Sequence, residues 1–498
     1  MLLVASYTVY VLACYSGNPL ADLQATKGRN KAQLIEARIE LLHLNIPPFL
    51  RYFNWLGDLL QGFVGHFSLG ASIQGQTVTG LVGDAMWSTL QLVSAALLVA
   101  IVIGVIVGIT TALRQYSTYD YVATFAAFLF FSLPTFFFAV ILKQYVAIGF
   151  NNYLQDPVIA PVVIIVLSLL AGVVWMGIIG GNARRRLTTF LIAALATAAV
   201  LAFIALTKWF NNPSLGPVVI LILGVGIAYL VTALTTGLSN KKSRNTALVV
   251  VGIAIVLYYP LQYTVLTTIT TGWLIAVLAI VTILVGGLVG YLFGGVDRWL
   301  SVRTGVITAV LMGFLIIVDR FMHSWNVYAT SSYTNGRPIA TIGASTPDLV
   351  GDFWVTGLDN FTHILLPTIA LVLISVASYS RYARASLLDV LNQDYIRTAR
   401  AKGLSERTVI MRHAFRNALI PVTTIITLDI GALIGGAVVT ETIFGREGMG
   451  QLFVIALNEV DVNVMMGIFL VVGVTAILFN IVADLIYSAL DPRIRVAS

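Results

Sequence analysis

The chain has 498 residues, of which 58% are hydrophobic and only 10% charged, against about 25% charge in a soluble globular chain. A mean hydropathy of +0.92 excludes an ordinary water-facing domain, because so few charges cannot cover its surface, and points to lipid as the second solvent. The net charge of +7 would suit nucleic acid, anionic lipid or orientation signals; its placement along the chain favours orientation, and no nucleic-acid partner is expected.

The lone cysteine, Cys14, rules out a disulfide within the chain. His43, His66, His323, His363 and His413 are scattered and form no H-E-x-x-H pattern, so no metal site is expected. The expected fold is an all-α polytopic membrane protein.

A spanning helix needs about 20 mostly apolar residues. Residues 1–15 are apolar but short, and lack the cationic start of a signal peptide. They read as a first span whose start is clipped or misassigned. Residues 16–86 read as an extracytoplasmic loop subdomain, with an amphipathic helix over 27–44 stopped by Pro47 and Pro48. Spans follow at 87–113 and 121–148, which form a first core block over 87–149. Six more occupy the stretch 157–322, at 158–180, 187–206, 217–236, 246–267, 273–294 and 304–318. An outer segment, 323–363, is rich in Ser, Thr, Gly and aromatics and reads as short strands or turns. The last block, 364–490, holds spans at 364–379, 418–439 and 464–487, and residues 491–498 form a tail. The total is about 12 spans.

Lys and Arg set the direction. With the amino terminus inside, the inner loops hold Arg114, Arg184, Arg185, Arg186, Lys241, Lys242, Arg244, Arg298 and Arg303, eight basic residues between Arg381 and Arg416, and Arg493 with Arg495. The same arrangement places Asp348, Asp352, Asp359, Glu447, Glu459 and Asp461 outside. Both termini are then cytoplasmic, and the chain is a multi-pass protein of the cell membrane.

The largest inner segment, 381–417, is unlike the rest, with its eight basic residues and the acids Asp389, Asp394 and Glu406. Asp394 is suited to cap a short helix running to Lys402. Gly403 suits the left-handed residue that ends it, and Ser405 can cap the next helix with Glu406 in its first turn. From the residues alone, this segment is either a solvated basic loop that enforces topology or a rigid helix–turn–helix device.

At this point the sequence resembles a known family. Residues 393–404 (QDYIRTARAKGL) and 412–421 (RHAFRNALIP) are similar to the cytoplasmic signature of binding-protein-dependent ABC importer permeases, in the dipeptide, oligopeptide and nickel branch. Residues 435–444 (GGAVVTETIF), Gly448-Met449-Gly450, Asn480 with Asp484 and Tyr487, and 490–495 (LDPRIR) resemble it too, so the likeness covers nearly all of 364–495. Near the front, Ser16-Gly17-Asn18-Pro19 and Ser132-Leu133-Pro134-Thr135 fit more loosely. Asn18 stands where the family has Asp, and Asn463 where it has Pro.

The resemblance implies a type I ABC importer transmembrane fold, with six of the twelve spans forming an insertion. That insertion is either a peripheral helical belt or a docking surface for a protein or lipid. It also implies a role for the loop as a coupling helix gripped by a separate ATPase, carried by Asp394, Tyr395, Arg397, Ala399, Arg400, Ala401, Lys402, Gly403 and Leu404. Gly403 lets the backbone turn closely, and Arg400 and Lys402 can meet acidic groups on a partner. The implied partners are a second, homologous permease subunit forming a heterodimer, two ATPase subunits, an extracytoplasmic solute-binding protein and membrane lipid. The implied cargo is di- or oligopeptide, with nickel complexes or oligosaccharides as the alternative.

Charges at membrane depth are functional candidates. Asp429 is read either as facing the translocation path or as paired within the bundle. Glu441, followed by Thr442, is read either as lying near the outer gate, as the resemblance implies, or as a capping or turn residue. Lys143 and Asp484 lie nearer span ends and read as structural. Arg184 to Arg186 and Lys241 to Arg244 read as orientation signals, with lipid head groups as the lesser option.

The chain has no Gly-Lys dipeptide and so no phosphate-cradling P-loop. ATP and Mg are therefore expected on partner ATPase subunits, with no cofactor in this chain. No G-x-S-x-G appears either, and no catalytic residues are expected. An ion-coupled secondary transporter would show two similar halves, and the basic segment has no counterpart in the first half.

Overall fold

A computed structural model describes residues 2–27, 29–61, 67–295, 298–434 and 437–490. The principal helices, in chain order, begin with α1 (Leu2–Tyr15), α2 (Lys31–Leu41), α3 (Pro48–Leu60), α4 (Val78–Leu113), α5 (Thr118–Ser132) and α6 (Thr135–Ile141). Then come α7 (Pro161–Ile179), α8 (Ala183–Thr207), α9 (Gly216–Thr235), α10 (Lys241–Val256), α11 (Gly272–Phe293) and α12 (Arg298–Ala329). The chain continues through α13 (Phe353–Leu391), α14 (Asp394–Ala401), α15 (Phe415–Ile434), α16 (Val438–Phe444), α17 (Met449–Glu459) and α18 (Val462–Leu490). No strand occurs among the described residues beyond an isolated bridge between Ala71 and Thr77.

Among the described residues, nine helices are long and apolar enough to cross a membrane, or eleven when each of two bent pairs counts as one span. The short apolar helix α1 stands beside these. The count of nine to eleven is close to the expected total of about twelve.

Four local expectations need correction. The span over 121–148 is not continuous: α5 and the helical stretch from Thr135 to Gln155 meet at 101°. Pro134 lacks an amide hydrogen and pushes Leu133 out of helical conformation, to ψ 136°. Next, α4 begins at Val78 rather than 87. Its first turns are interrupted by Gly80, Gly83 and Asp84, yet Val78, Val82 and Ala85 share one buried face.

The outer segment 323–363 takes the turn alternative rather than the strand one, and only over 330–352, because α12 runs to Ala329 and α13 starts at Phe353. Asp352 Oδ1 accepts from the backbone N–H groups of Trp354 (3.1 Å) and Val355 (2.9 Å), which satisfies two orphan donors at the helix start. Finally, Asp394 is the first residue of α14, and its preceding residue Gln393 makes no side-chain cap.

The chain divides into two compact units. The first comprises Met1–Ala147, Thr341–Ala344 and His363–Ser498. In it, α1 and α3 bury Tyr10, Tyr52 and Trp55 against Val464, Met465 and Ile468 of α18. Tyr52 also exchanges a 2.7 Å hydrogen bond with Ser6. A second cluster joins Leu92, Val93 and Ala96 of α4 to Leu371 and Tyr379 of α13 and Val422 of α15.

The other unit comprises Ile148–Ala340 and Ser345–Thr362. Its core gathers Ile220, Val251, Tyr258, Met312, Ile316 and Trp354. Asp319 has no exposed surface. Its carboxyl group accepts from Leu215 N–H (2.6 Å), the Tyr258 hydroxyl (2.6 Å) and Gln262 Nε2 (2.7 Å), tying three segments together.

In the same unit α11 and α12 approach at glycine. A Cβ on Gly290 would lie 2.6 Å from the Ser301 carbonyl oxygen and against Val302 Cα, and one on Gly286 would lie 2.7 Å from Gly305 O. Small residues at such seams let helix backbones pack closely in lipid. Replacing Gly290 by leucine is expected to destabilise this unit by about 3 kcal/mol through overpacking. The check is a lower thermal unfolding midpoint in detergent and earlier proteolysis between the two helices; an unchanged midpoint would refute the close packing.

Candidate functional site

The basic segment folds as successive helical turns that carry a short helix with one exposed face. In α14, Ile396 has no exposed surface and Ala399 is buried. Both pack against Ala112, Leu387, Val409, Ala414 and Ala418. The three-residue spacing of these two positions puts both on one face, and leaves Asp394, Tyr395, Arg397, Arg400, Ala401, Lys402 and Leu404 exposed.

The turn after α14 is built by backbone. Gly403 has φ +74°, and its N–H donates to Arg400 O at 3.0 Å. Ser405 then caps the following turn, its Oγ accepting from Thr408 N–H at 3.4 Å. A further bond runs from Asn417 Nδ2 to the Tyr395 hydroxyl (3.0 Å).

Arg400 and Glu406 form an ion pair at 2.7 Å across the Gly403 turn. That pairing holds the Glu406 carboxyl below the usual carboxylate range and raises the Arg400 guanidinium. Arg400 thus has a partner inside the loop, whereas Lys402 has no carboxylate within ion-pair reach among the described residues. Arg397 pairs loosely with Asp394 at 3.4 Å.

The two other candidates lie elsewhere in the same unit. Asp429, on α15, is partly exposed and faces the hydroxyl of Tyr379. Tyr379 has no exposed surface, and its hydroxyl makes no hydrogen bond of normal geometry. Glu441, on α16, is completely buried. Its carboxyl oxygens accept from the Thr89 hydroxyl (2.7 Å), Gly450 N–H (2.7 Å) and Gln451 N–H (3.2 Å). Thr89 in turn accepts from Met449 N–H at 2.8 Å. The group thus sits on the orphan amides at the start of α17.

Nearby Arg446 is buried, which lowers its pKa against the pull of Glu441. It donates to Gln91 Oε1 at 3.0 Å. Lys143 Nζ donates to Ile443 O at 2.8 Å, at the end of α16. Asp484 is exposed.

Asn463 has a partner that a proline could not have. Its Nδ2 donates to Ala71 O (2.8 Å), beside Asp461, whose carboxyl accepts from Ile73 N–H (2.8 Å) and Val464 N–H (3.2 Å). Burial raises the Asp461 carboxyl pKa, and those amide bonds oppose the rise. Gly435, Gly436, the Tyr487 side chain and the tail 491–498 lie outside the described residues.

Sequence reasoning missed Thr89 and Arg446, both partners of the Glu441 cluster, and Asp319. The available signal was an acid inside an apolar run (Asp319), and small residues at Gly448 and Gly450 close after Glu441. A Cβ on Gly448 would strike the Glu441 carboxyl.

The apolar helices, with a short exposed helix on a basic segment, define a multi-pass membrane protein. Residues 245–496 match the sequence profile of the binding-protein-dependent transport system inner membrane component family, and the chain belongs to that family. The match begins inside the stretch 157–322. The oligopeptide transport system permease protein OppB of Mycobacterium tuberculosis is 42% identical over 155 residues, 31% of this chain and 48% of the relative. AppB, the oligopeptide transport system permease protein of Bacillus subtilis, is 46% identical over 137 residues, 28% of this chain and 43% of its own length. The dipeptide transport system permease protein DppB of Escherichia coli is 47% identical over 138 residues, covering 28% of this chain and 41% of that protein. The chain spans less than half the length of the curated relatives it matches.

Proposed function

We propose that the chain is the permease subunit of an ATP-driven importer, and that it forms, with a second homologous subunit, the path for di- or oligopeptides delivered by an extracytoplasmic binding protein. The observation that carries the reading is α14. It is a short helix pinned to its own unit by Ile396 and Ala399, with its other face open. A helix so anchored moves with the helices it packs on, so a push on its exposed face is passed on as a rigid-body displacement. Tyr395, Arg397, Lys402 and Leu404 offer a mixed apolar and cationic surface suited to a groove on an ATPase subunit, which binds ATP and Mg.

In this reading both termini and α14 are cytoplasmic, as the Lys and Arg distribution supports. ATP binding closes the two ATPase subunits and favours one of two states of the path. Peptide is the cargo we favour because relatives such as those of M. tuberculosis and E. coli are described as oligopeptide and dipeptide permeases. Asp429 is the path residue we propose, because it is a partly exposed acid within an apolar helix, and a carboxylate there can meet a peptide amine.

Orientation is tested first. In a Cys14→Ser background, which removes the only cysteine, Lys402→Cys is expected to react with an impermeant maleimide in inverted vesicles and not in right-side-out ones. Reaction from the outer face would overturn the proposal. So would peptide uptake by the isolated chain without any nucleotide-hydrolysing subunit.

A further inference from the structure

Two arginines of the basic segment line a cavity. Near the C-terminal end of α13, beside α4 and α5, lies a hollow of about 410 Å3. Its polar lining includes Arg381, Arg384 and Thr124, and its apolar lining Val107, Phe128 and Leu388. Arg384 donates to Asp120 (2.9 Å) and to the Thr124 hydroxyl (3.0 Å). Asp120 also accepts from Tyr116 N–H (3.0 Å), at the turn between α4 and α5. The cavity therefore lies where these helices end, at the level of lipid head groups rather than acyl tails.

The charges do not balance. Arg381 lies 3.8 Å from the Phe131 ring centroid and 5.8 Å from that of Phe128. Among the described residues no carboxylate comes within ion-pair reach of it. The Nε–H groups of both arginines are buried and find no acceptor. A guanidinium is always charged and has only donors, and buried donors without acceptors are costly. The arrangement calls for an anionic oxygen acceptor, and the apolar wall calls for a tail attached to it.

We propose that this cavity binds the phosphate of an anionic phospholipid, held by Arg381 and Arg384, with the start of an acyl chain against Val107, Phe128 and Leu388. Inorganic phosphate would satisfy the donors but leave the apolar wall uncovered. The Phe131 ring, 3.8 Å from the guanidinium carbon, holds the Arg381 head group beside the cavity.

Native mass spectrometry of the full chain, released from detergent with either dioleoyl phosphatidylglycerol or dioleoyl phosphatidylcholine added, tests this. The wild-type chain is expected to retain one phosphatidylglycerol in clear preference to phosphatidylcholine. Arg381→Gln is expected to lower that retention about tenfold, the cost of losing hydrogen bonds to a charged group. Ala123→Phe, which fills the cavity and leaves both arginines in place, should lower it similarly and decides the matter should Arg381→Gln not fold. Arg412→Gln, an exposed basic residue of the same segment outside the cavity, should leave retention unchanged. The proposal fails if both cavity variants bind like wild type, if the two lipids are held equally, or if inorganic phosphate alone displaces the lipid.

Discussion

Under the proposed importer role, replacing Gly403 by valine is expected to abolish ATP-driven uptake while leaving the chain inserted and folded. Gly403 has φ +74°, and an added Cβ there would meet nothing within 4 Å. The substitution is therefore opposed by backbone conformation alone. A β-branched residue in the left-handed region costs about 2 kcal/mol, enough to shift a two-state turn about thirtyfold. That turn joins α14 to Ser405 and closes the Arg400–Glu406 pair, so its loss reorients the exposed face that the proposal assigns to coupling. Asparagine tolerates positive φ, and Gly403→Asn should keep most of the activity. Uptake in reconstituted vesicles and ATPase co-purification are to be read together. Normal uptake by the valine variant would remove α14 from the coupling role.

The parts of this molecule legible in sequence are those set by local rules. Long apolar runs gave the helices, since in lipid every backbone polar group must be satisfied within its own segment. The Gly403 turn and the Ser405 cap were equally legible, because each needs one residue type at one place. Composition misled where polar residues sit on a helix that is buried on one side only. Residues 78–86 include an exposed Asp84 beside buried Val82 and Ala85, so α4 looked shorter than it is. The start of α13 was hidden in the same way, although Asp352 before an aromatic pair is a capping signal in hindsight. Pro134 belongs to the family resemblance and is also the break between α5 and α6. Least legible was the Glu441 cluster, because Thr89 lies 352 residues away in the chain, and no periodicity links them.

That cluster is the site of the second large expected effect, and it separates the two readings of Glu441. Glu441→Ala removes the acceptor for Thr89, Gly450 and Gln451 at a site with no exposed surface. Buried donors left without an acceptor cost about 1 to 3 kcal/mol each, so a loss of at least about 3 kcal/mol is expected, read as a lower unfolding midpoint and poor recovery from membranes. Glu441→Gln keeps one acceptor oxygen but turns an NH2 toward amide donors, so it should fall between alanine and wild type. Gly448→Ala should resemble Glu441→Ala, since its Cβ would occupy the space of the Glu441 carboxyl. Thr89→Val should lose less, because it strands the Met449 amide and one carboxyl oxygen but spares the bonds to Gly450 and Gln451. A graded series of this kind identifies Glu441 as the clamp that fixes α16 and α17 to α4. The opposite pattern, Glu441→Gln with wild-type stability and no uptake, would instead place the carboxyl group in the outer gate, because only a group acting on passing solute can stop transport without loosening the fold.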